Sequence, residues 1–166
     1  FCFCCCRPLV DRRKDVSSNV LGYLYFYVDF PSVSTNVSGC GTTFAGGSGT
    51  VGDPYQVADR ATLANTVSCA TSTTYFLQTT NIDLGGASTP WSPIPLYGQY
   101  NGNGKTITNL FISSSDVSGG LSVGLFSTMN ADSSVSNLTL TSANVTAGGA
   151  NIGALAGTSS GAITNI

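Results

Sequence analysis

The apolar positions of residues 101–166 form short groups, and one six-residue pattern returns. The run ITNLFI at 107–112 is matched by VSNLTL at 135–140, and ITNI at 163–166 begins it again. The offset is 28 residues both times. A fixed period between about 20 and 50 residues is typical of repeat architectures. The pattern therefore predicts stacked repeats of 28 residues over 101–166.

The content of each repeat favours strands over helices. The apolar groups are short and rich in Ile, Val, Leu and Thr, and glycine pairs separate them. Strands of this kind can stack as the parallel coils of a β-solenoid, each coil pairing with the next at ~4.8 Å. We expect one side-chain column of Ile107, Val135 and Ile163, an Asn ladder of Asn109, Asn137 and Asn165, and inward positions at Leu110, Ile112, Leu138 and Leu140.

Two further zones precede the repeats. Residues 1–41 are irregular and contain an aromatic run with the alternation of a strand. Residues 42–100 have the pattern of a leader or cap, with one short helix from about Val57 to Cys69 and a strand near Tyr75 to Leu84. The fold class predicted is all-β, a parallel β-solenoid (β-helix) with an N-terminal capping region.

Few residues of the chain are charged, and this limits the classes of function that the sequence can support. Charged residues make up 8% of the chain, its net charge is −2, and it contains neither Glu nor His. Four of the six basic residues lie within the first fourteen positions, so no basic stripe for nucleic acid is expected. The longest apolar stretch, Leu21 to Phe30, is too short for a membrane span and contains Asp29.

Six cysteines fall into two groups. Cys40 and Cys69 stand alone and are predicted to form a disulfide in an oxidising compartment. The cysteines at positions 2, 4, 5 and 6 are too compressed for an ordinary zinc site, and their pairing is left open. The chain begins with Phe rather than Met, so we expect it to be a processed or partial chain.

Several short segments together resemble a known family. They are GGSGT at 46–50, DPYQV at 53–57, NIDL at 81–84, WSPI at 91–94, YNGNGKTI at 100–107, VGLF at 123–126 and IGALAG at 152–157. This ordered set is similar to bacterial surface proteins with GLUG-type repeats and spans about three quarters of the chain. The resemblance implies a right-handed β-solenoid in a secreted or surface-anchored protein, often an adhesin. Residues 1–41 lie outside it.

The residues give little material for catalysis. Without His, no Ser-His or Cys-His pair can form. Two of the eight aspartates could still meet as in a polysaccharide-active enzyme, which remains an alternative. Rows of threonine, Thr106 with Thr108 and Thr139 with Thr141, suggest an ice-binding protein as another. We predict no enzyme, no cofactor and no metal site.

Two functions from different classes remain. The first is a structural protein, a subunit or fragment of a surface fibre or stalk. The second is an adhesin module that binds glycans or host surface proteins, with an aromatic cluster as contact or, alternatively, as packing over the end of the solenoid. That cluster is Trp91, Tyr97 and Tyr100.

Self-association is the partner prediction. The chain stops inside a repeat, and a solenoid end without a cap offers unpaired backbone groups to another chain. We expect either a longer protein or a second copy to cover that end. In the second case the aromatic run would add as a strand to a neighbour and build filaments head to tail. The contact residues are Tyr23, Tyr25, Phe26, Tyr27 and Phe30.

Overall fold

The computed structural model describes residue 40 and residues 43–113, 122–146 and 151–166. Within these residues the regular structure is mainly β-strand, with two one-turn helices and one short 3-10 helix. The helices are α1 (Arg60–Ala64) and α2 (Thr66–Cys69), and the 3-10 helix is Gly86–Ser88. The strands are β1 (Tyr55–Val57), β2 (Tyr75–Gln78), β3 (Ile82–Asp83), β4 (Ile94–Leu96), β5 (Gln99–Thr108), β6 (Phe111–Ser113), β7 (Ser122–Val123), β8 (Phe126–Met129), β9 (Ser134–Thr141), β10 (Asn144–Thr146), β11 (Asn151–Ile152), β12 (Ala156–Ser159) and β13 (Ala162–Thr164).

The strand pairs recorded in the described residues are parallel. The main sheet has the order β1-β2-β5-β9-β13, and β3 also pairs with β5. Three smaller sheets follow the same principle, with orders β4-β8-β12, β6-β10 and β7-β11. In each sheet, consecutive passages of the chain therefore lie side by side. Strand β2, from the region predicted as leader, shares the main sheet with strands of the predicted repeats.

One column of inward side chains runs through the whole main sheet. Tyr55 pairs with Phe76, Phe76 with Tyr100, Tyr100 with Val135, and Val135 with Ile163. The first four are at most 4% exposed, whereas Ile163 is 44% exposed in the last strand. The rings of Tyr55 and Phe76 lie 6.0 Å apart, and Tyr100 meets Phe126 edge to face at 5.9 Å. The column thus changes from aromatic to aliphatic along the sheet.

The column corrects the predicted 28-residue register. Val135 and Ile163 pair as expected, but Val135 lies beside Tyr100, while Ile107 pairs with Leu140. The reason is local. The repeated motif places an Asn with positive φ between two strand segments, at Asn109 (57°), Asn137 (53°) and Asn165 (53°). Asn tolerates this left-handed conformation better than most residues. The motifs around Asn109 and Asn137 share this bend but lie at two different corners of the chain. Their similar sequences therefore do not mean that the two segments pair.

Two of the segments that carry the family resemblance, VGLF at 123–126 and IGALAG at 152–157, lie side by side. Val123 pairs with Ile152, the N–H of Gly153 donates to the carbonyl of Val123 at 2.9 Å, and the N–H of Leu125 donates to Ala154 at 2.9 Å. A Cβ at Gly124 would lie 2.7 Å from the carbonyl oxygen of Gly153. Glycine is therefore required where these two passages approach each other.

The inward residues are largely those predicted. Ile107, Leu110, Ile112, Val135 and Leu138 are at most 1% exposed, and Leu140 packs partly buried against them. The strand expected near Tyr75 to Leu84 is present as two strands, β2 and β3. The glycine pairs at 119–120 and 148–149 lie outside the described residues.

The helix is shorter than predicted and interrupted. Val57 ends strand β1, and the helical segment starts at Arg60 and restarts after Asn65. Asp59 caps α1, because its side chain accepts from the N–H of Thr62 at 2.7 Å while the Thr62 hydroxyl accepts from the N–H of Asp59 at 2.9 Å. This reciprocal capping box fixes where the helix begins.

Arg60 connects α1 to the segment before β4. Its guanidinium donates to the carbonyl oxygens of Leu84, of Thr89 at 2.8 Å and of Pro90 at 2.8 Å. The same group lies 5.3 Å from the centre of the Trp91 ring. A planar guanidinium can donate to several carbonyls at once. Arg60 thus has a structural role that its isolated position in the sequence does not reveal.

Candidate functional site

The outer surface of β2, β5 and β9 carries rows of uncharged side chains, most of them polar. Strand register sets the rows, because alternate residues point outward and paired residues lie side by side. One row joins Tyr75, Gln99 and Ser134, and a second joins Leu77, Asn101 and Ser136. These six residues, called the groove residues below, line a shallow groove of about 290 Å³ with Val51 and Pro54 at its side. None of the described residues that line it is charged.

Some polar groups in the groove are already engaged. The Gln99 amide donates to the carbonyl of Asp132, and the Ser134 hydroxyl donates to Gln99 Oε1. Asn101 Oδ1 accepts from the N–H of Asn103 at 2.9 Å. These bonds fix the floor of the groove. The alternation in the segments YFLQ at 75–78 and QYN at 99–101 marks outward positions, but sequence reasoning did not single them out as a site.

An Asn ladder follows the edge of the groove. Asn165 Nδ2 donates to Asn137 Oδ1 at 2.8 Å, and Asn137 Nδ2 donates to Asn101 Oδ1 at 3.2 Å. The predicted ladder had Asn109 as its first member, which is wrong. Asn109 lies at the next corner of the chain and donates instead to Asp83 Oδ1 at 2.9 Å.

The threonine rows lie on the second half of the same strands. Thr106 pairs with Thr139 and Thr108 with Thr141, so four outward threonines form a two-by-two array. Asn81 continues one row, since its Oδ1 accepts from the N–H of Thr106 at 3.0 Å. The array covers two strands, and polar side chains of another type take the neighbouring positions.

The aromatic cluster predicted for glycan contact is mostly internal. Trp91 is 2% exposed and its Nε1 donates to the carbonyl of Leu125 at 2.9 Å. Tyr100 is 1% exposed and its hydroxyl donates to Gln78 Oε1 at 3.0 Å. Burial raises the pKa of the Tyr100 hydroxyl. A buried ring cannot stack on a sugar, so only Tyr97, at 38% exposure, keeps an accessible ring.

Two aspartates are held ionised by local hydrogen bonds. The N–H of Thr62, followed by the Thr62 hydroxyl, lowers the pKa of Asp59. The N–H of Gly85, followed by the side chain of Asn109, lowers the pKa of Asp83. Donors to a carboxylate favour its charged form. In both cases the hydrogen-bond partners belong to the surrounding turn or corner of the chain. These two carboxylates therefore stabilise local structure.

Cys40 and Cys69 are bonded, with Cα atoms 5.6 Å apart, and both belong to the buried core. The bond attaches residue 40 to the end of α2. The cysteines at 2, 4, 5 and 6 lie outside the described residues, as do the predicted subunit contacts Tyr23, Tyr25, Phe26, Tyr27 and Phe30.

Two features are absent from the residues that the structure describes. Among them, His, Cys, Asp and Glu side chains do not gather in groups of three or more that could hold a metal ion. Nor does any helix in that part of the chain have the length and apolar character needed to cross a membrane.

Comparison with known proteins gives two relatives of much greater length. One, from Evansella cellulosilytica, is named as a Gly-rich membrane protein and is 35% identical over 136 residues, which cover 75% of this chain and 15% of that protein. The other is halomucin from Haloquadratum walsbyi, 35% identical over 143 residues, which cover 76% of this chain and 2% of that protein. No family model matches the chain. No solved structure gives a significant match.

Proposed function

We propose that this chain is a structural segment of an extracellular or cell-surface protein, built as a right-handed parallel β-solenoid. The observation that carries the proposal is the main sheet, in which five passages of the chain pair in parallel with one continuous inward column. Stacked coils of this type extend along one axis by repetition, which suits a fibre or stalk. The proposal assigns no catalysis and no cofactor to the chain.

Composition and the relatives support the surface location. A chain with 8% charged residues and a core disulfide fits an oxidising, extracellular compartment. The relatives are named as a Gly-rich membrane protein and as halomucin, and this chain corresponds to a small part of each. We extend the surface location from those names to this chain. The similarity to GLUG-type repeats belongs to the same proposal.

Self-association is the finer part of the proposal. Among the described residues, β13 pairs on one side only, with β9, and its far side carries exposed apolar residues. Ile163 is 44% exposed and Ile166 is 53% exposed. We propose that the aromatic run at residues 21–30 of a second copy, which the sequence predicts to be a strand, adds to this edge and gives head-to-tail filaments.

Light scattering and negative-stain electron microscopy test the polymerisation directly. We expect filaments from the 166-residue chain and their loss when residues 1–39 are removed, a deletion that keeps Cys40. Ile163→Lys should also block them, because a charge at the edge opposes strand addition. Thr139→Lys, on the outer face, is the matched control and should leave them intact. Filaments that persist in the deletion variant, or a full chain that stays monomeric at high concentration, would contradict the proposal.

A further inference from the structure

We infer that the groove residues form a binding site for neutral polysaccharide. This inference does not depend on filament formation, and its test reads binding rather than assembly. The groove lies on the outer surface of the three central strands, where Tyr75, Gln99 and Ser134 form one row. Three strands at a spacing of ~4.8 Å make the floor about 10 Å long, room for a short run of linked sugar rings.

The chemistry of the free groups favours a ligand rich in hydroxyls. The structure gives no hydrogen-bond partner among the described residues for the Tyr75 hydroxyl, for Asn101 Nδ2 or for the Ser136 hydroxyl, although all three residues line the groove. Three residues that line one groove thus offer a hydroxyl, an amide donor and a second hydroxyl. Sugar hydroxyls both donate and accept, so they can satisfy all three groups at once.

Tyr75 supplies the apolar part of the site. The residue is partly buried, so part of its surface stays accessible. The neighbouring outward residue on β2 is Leu77, which extends the apolar surface. An aromatic ring face that is held in place covers the C–H face of a sugar. The groove thus has an apolar side and a floor with amide and hydroxyl groups. These match the C–H face and the hydroxyl groups of a pyranose ring.

The uncharged lining of the groove favours one class of glycan over the others. None of the described lining residues is Lys, Arg or Asp. Uronate-containing, sulfated and phosphorylated polymers carry anions that protein sites normally meet with Lys or Arg. Here such a polymer would lose hydration without gaining a partner. The site therefore fits uncharged hexose or pentose chains.

Two-dimensional NMR of the full chain gives the test, with cellohexaose, mannohexaose and xylohexaose as neutral probes and hexagalacturonate as the acidic one. We expect at least one neutral probe to shift the side-chain amide signals of Asn101 and Gln99. Tyr75→Ala should weaken that binding about tenfold and Tyr75→Phe only a few-fold, since phenylalanine keeps the ring. Thr139→Ala, on the same sheet outside the groove, should bind as the unmodified chain does.

Ser136→Ala provides a second variant whose folding is not in question, because its hydroxyl has no partner among the described residues. It should weaken binding a few-fold. No shift with any neutral probe, tighter binding of hexagalacturonate, or unchanged binding in both Tyr75→Ala and Ser136→Ala would overturn the inference.

Discussion

Replacing Asn137 separates two contributions to the stability of the stacked strands. Its backbone has φ of 53°, and its side chain connects Asn165 to Asn101 through hydrogen bonds of 2.8 and 3.2 Å. Alanine removes both hydrogen bonds. It also keeps a Cβ in the left-handed region, where a Cβ is unfavourable, and has no polar side chain to offset that cost. Glycine removes the same hydrogen bonds but adopts positive φ at no steric cost.

The expected loss of stability has two contributions, the lost hydrogen bonds and the cost of the left-handed backbone. Two amide hydrogen bonds at a partly buried position contribute about 1–2 kcal/mol together. The left-handed conformation costs alanine about 1–2 kcal/mol. We therefore expect Asn137→Ala to lower the free energy of unfolding by about 2–4 kcal/mol. Asn137→Gly should be about 1 kcal/mol less harmful, since the greater freedom of glycine in the unfolded chain offsets part of its advantage.

Urea unfolding followed by fluorescence measures both variants, because the chain has a single, buried tryptophan. The slope of the unfolding free energy with urea should stay unchanged, which shows that the folded state is still the same. A glycine variant as unstable as the alanine variant would refute the argument from the left-handed backbone. If both lie within about 0.5 kcal/mol of the unmodified chain, the ladder has no stabilising role.

Three other predictions use neighbouring features. Leu138→Ala should cost about 2–5 kcal/mol as a buried truncation, whereas Thr139→Ala on the outer face should stay within about 0.5 kcal/mol in the same urea assay. Reducing the Cys40–Cys69 bond, which closes a loop with a separation of 29 residues, should lower stability by about 3–4 kcal/mol; mass spectrometry finding two free thiols in native protein would contradict the pairing. The pKa of Asp83 is lower in the folded chain than its ordinary value, so its ionised form stabilises the fold above the ordinary carboxyl pKa, and this contribution is lost as pH falls through the lowered pKa. Asp83→Asn should therefore make the free energy of unfolding depend less on pH in the acid range.

The inward pattern of this fold is readable from sequence. Short groups rich in Ile, Val and Leu, separated by glycine, predict stacked strands because only those positions can supply a core. Ile107, Val135 and Leu138 are accordingly buried. Alternation along a strand decides which residues face inward, and this requires no knowledge of the neighbouring strand.

Register was not readable in the same way. The motif around Asn109 and Asn137 encodes a local bend, and a bend can serve at any corner of a coil. The partner of Val135 is Tyr100 rather than Ile107, and the register between β5 and β9 shifts again between Asn101 and Lys105. A count of residues between motifs cannot detect such a shift.

The proposed binding groove escaped prediction for a related reason. The sequence left Trp91 open between glycan contact and packing, and the structure buries this ring, with the guanidinium of Arg60 beside it and its Nε1 donating to the carbonyl of Leu125. Tyr75 occurs in an ordinary strand pattern and is notable only because its register places it beside Gln99. Such a site depends on pairing between distant segments.

Nuclear Overhauser measurements on the full chain test the stacking most directly. Paired parallel strands bring backbone protons of neighbouring residues close together, so each partner of Val135 should give cross-strand contacts. The account predicts contacts of Val135 with Tyr100 on one side and with Ile163 on the other, and of Ile107 with Leu140. Contacts between Ile107 and Val135, or antiparallel patterns between β5 and β9, would contradict it.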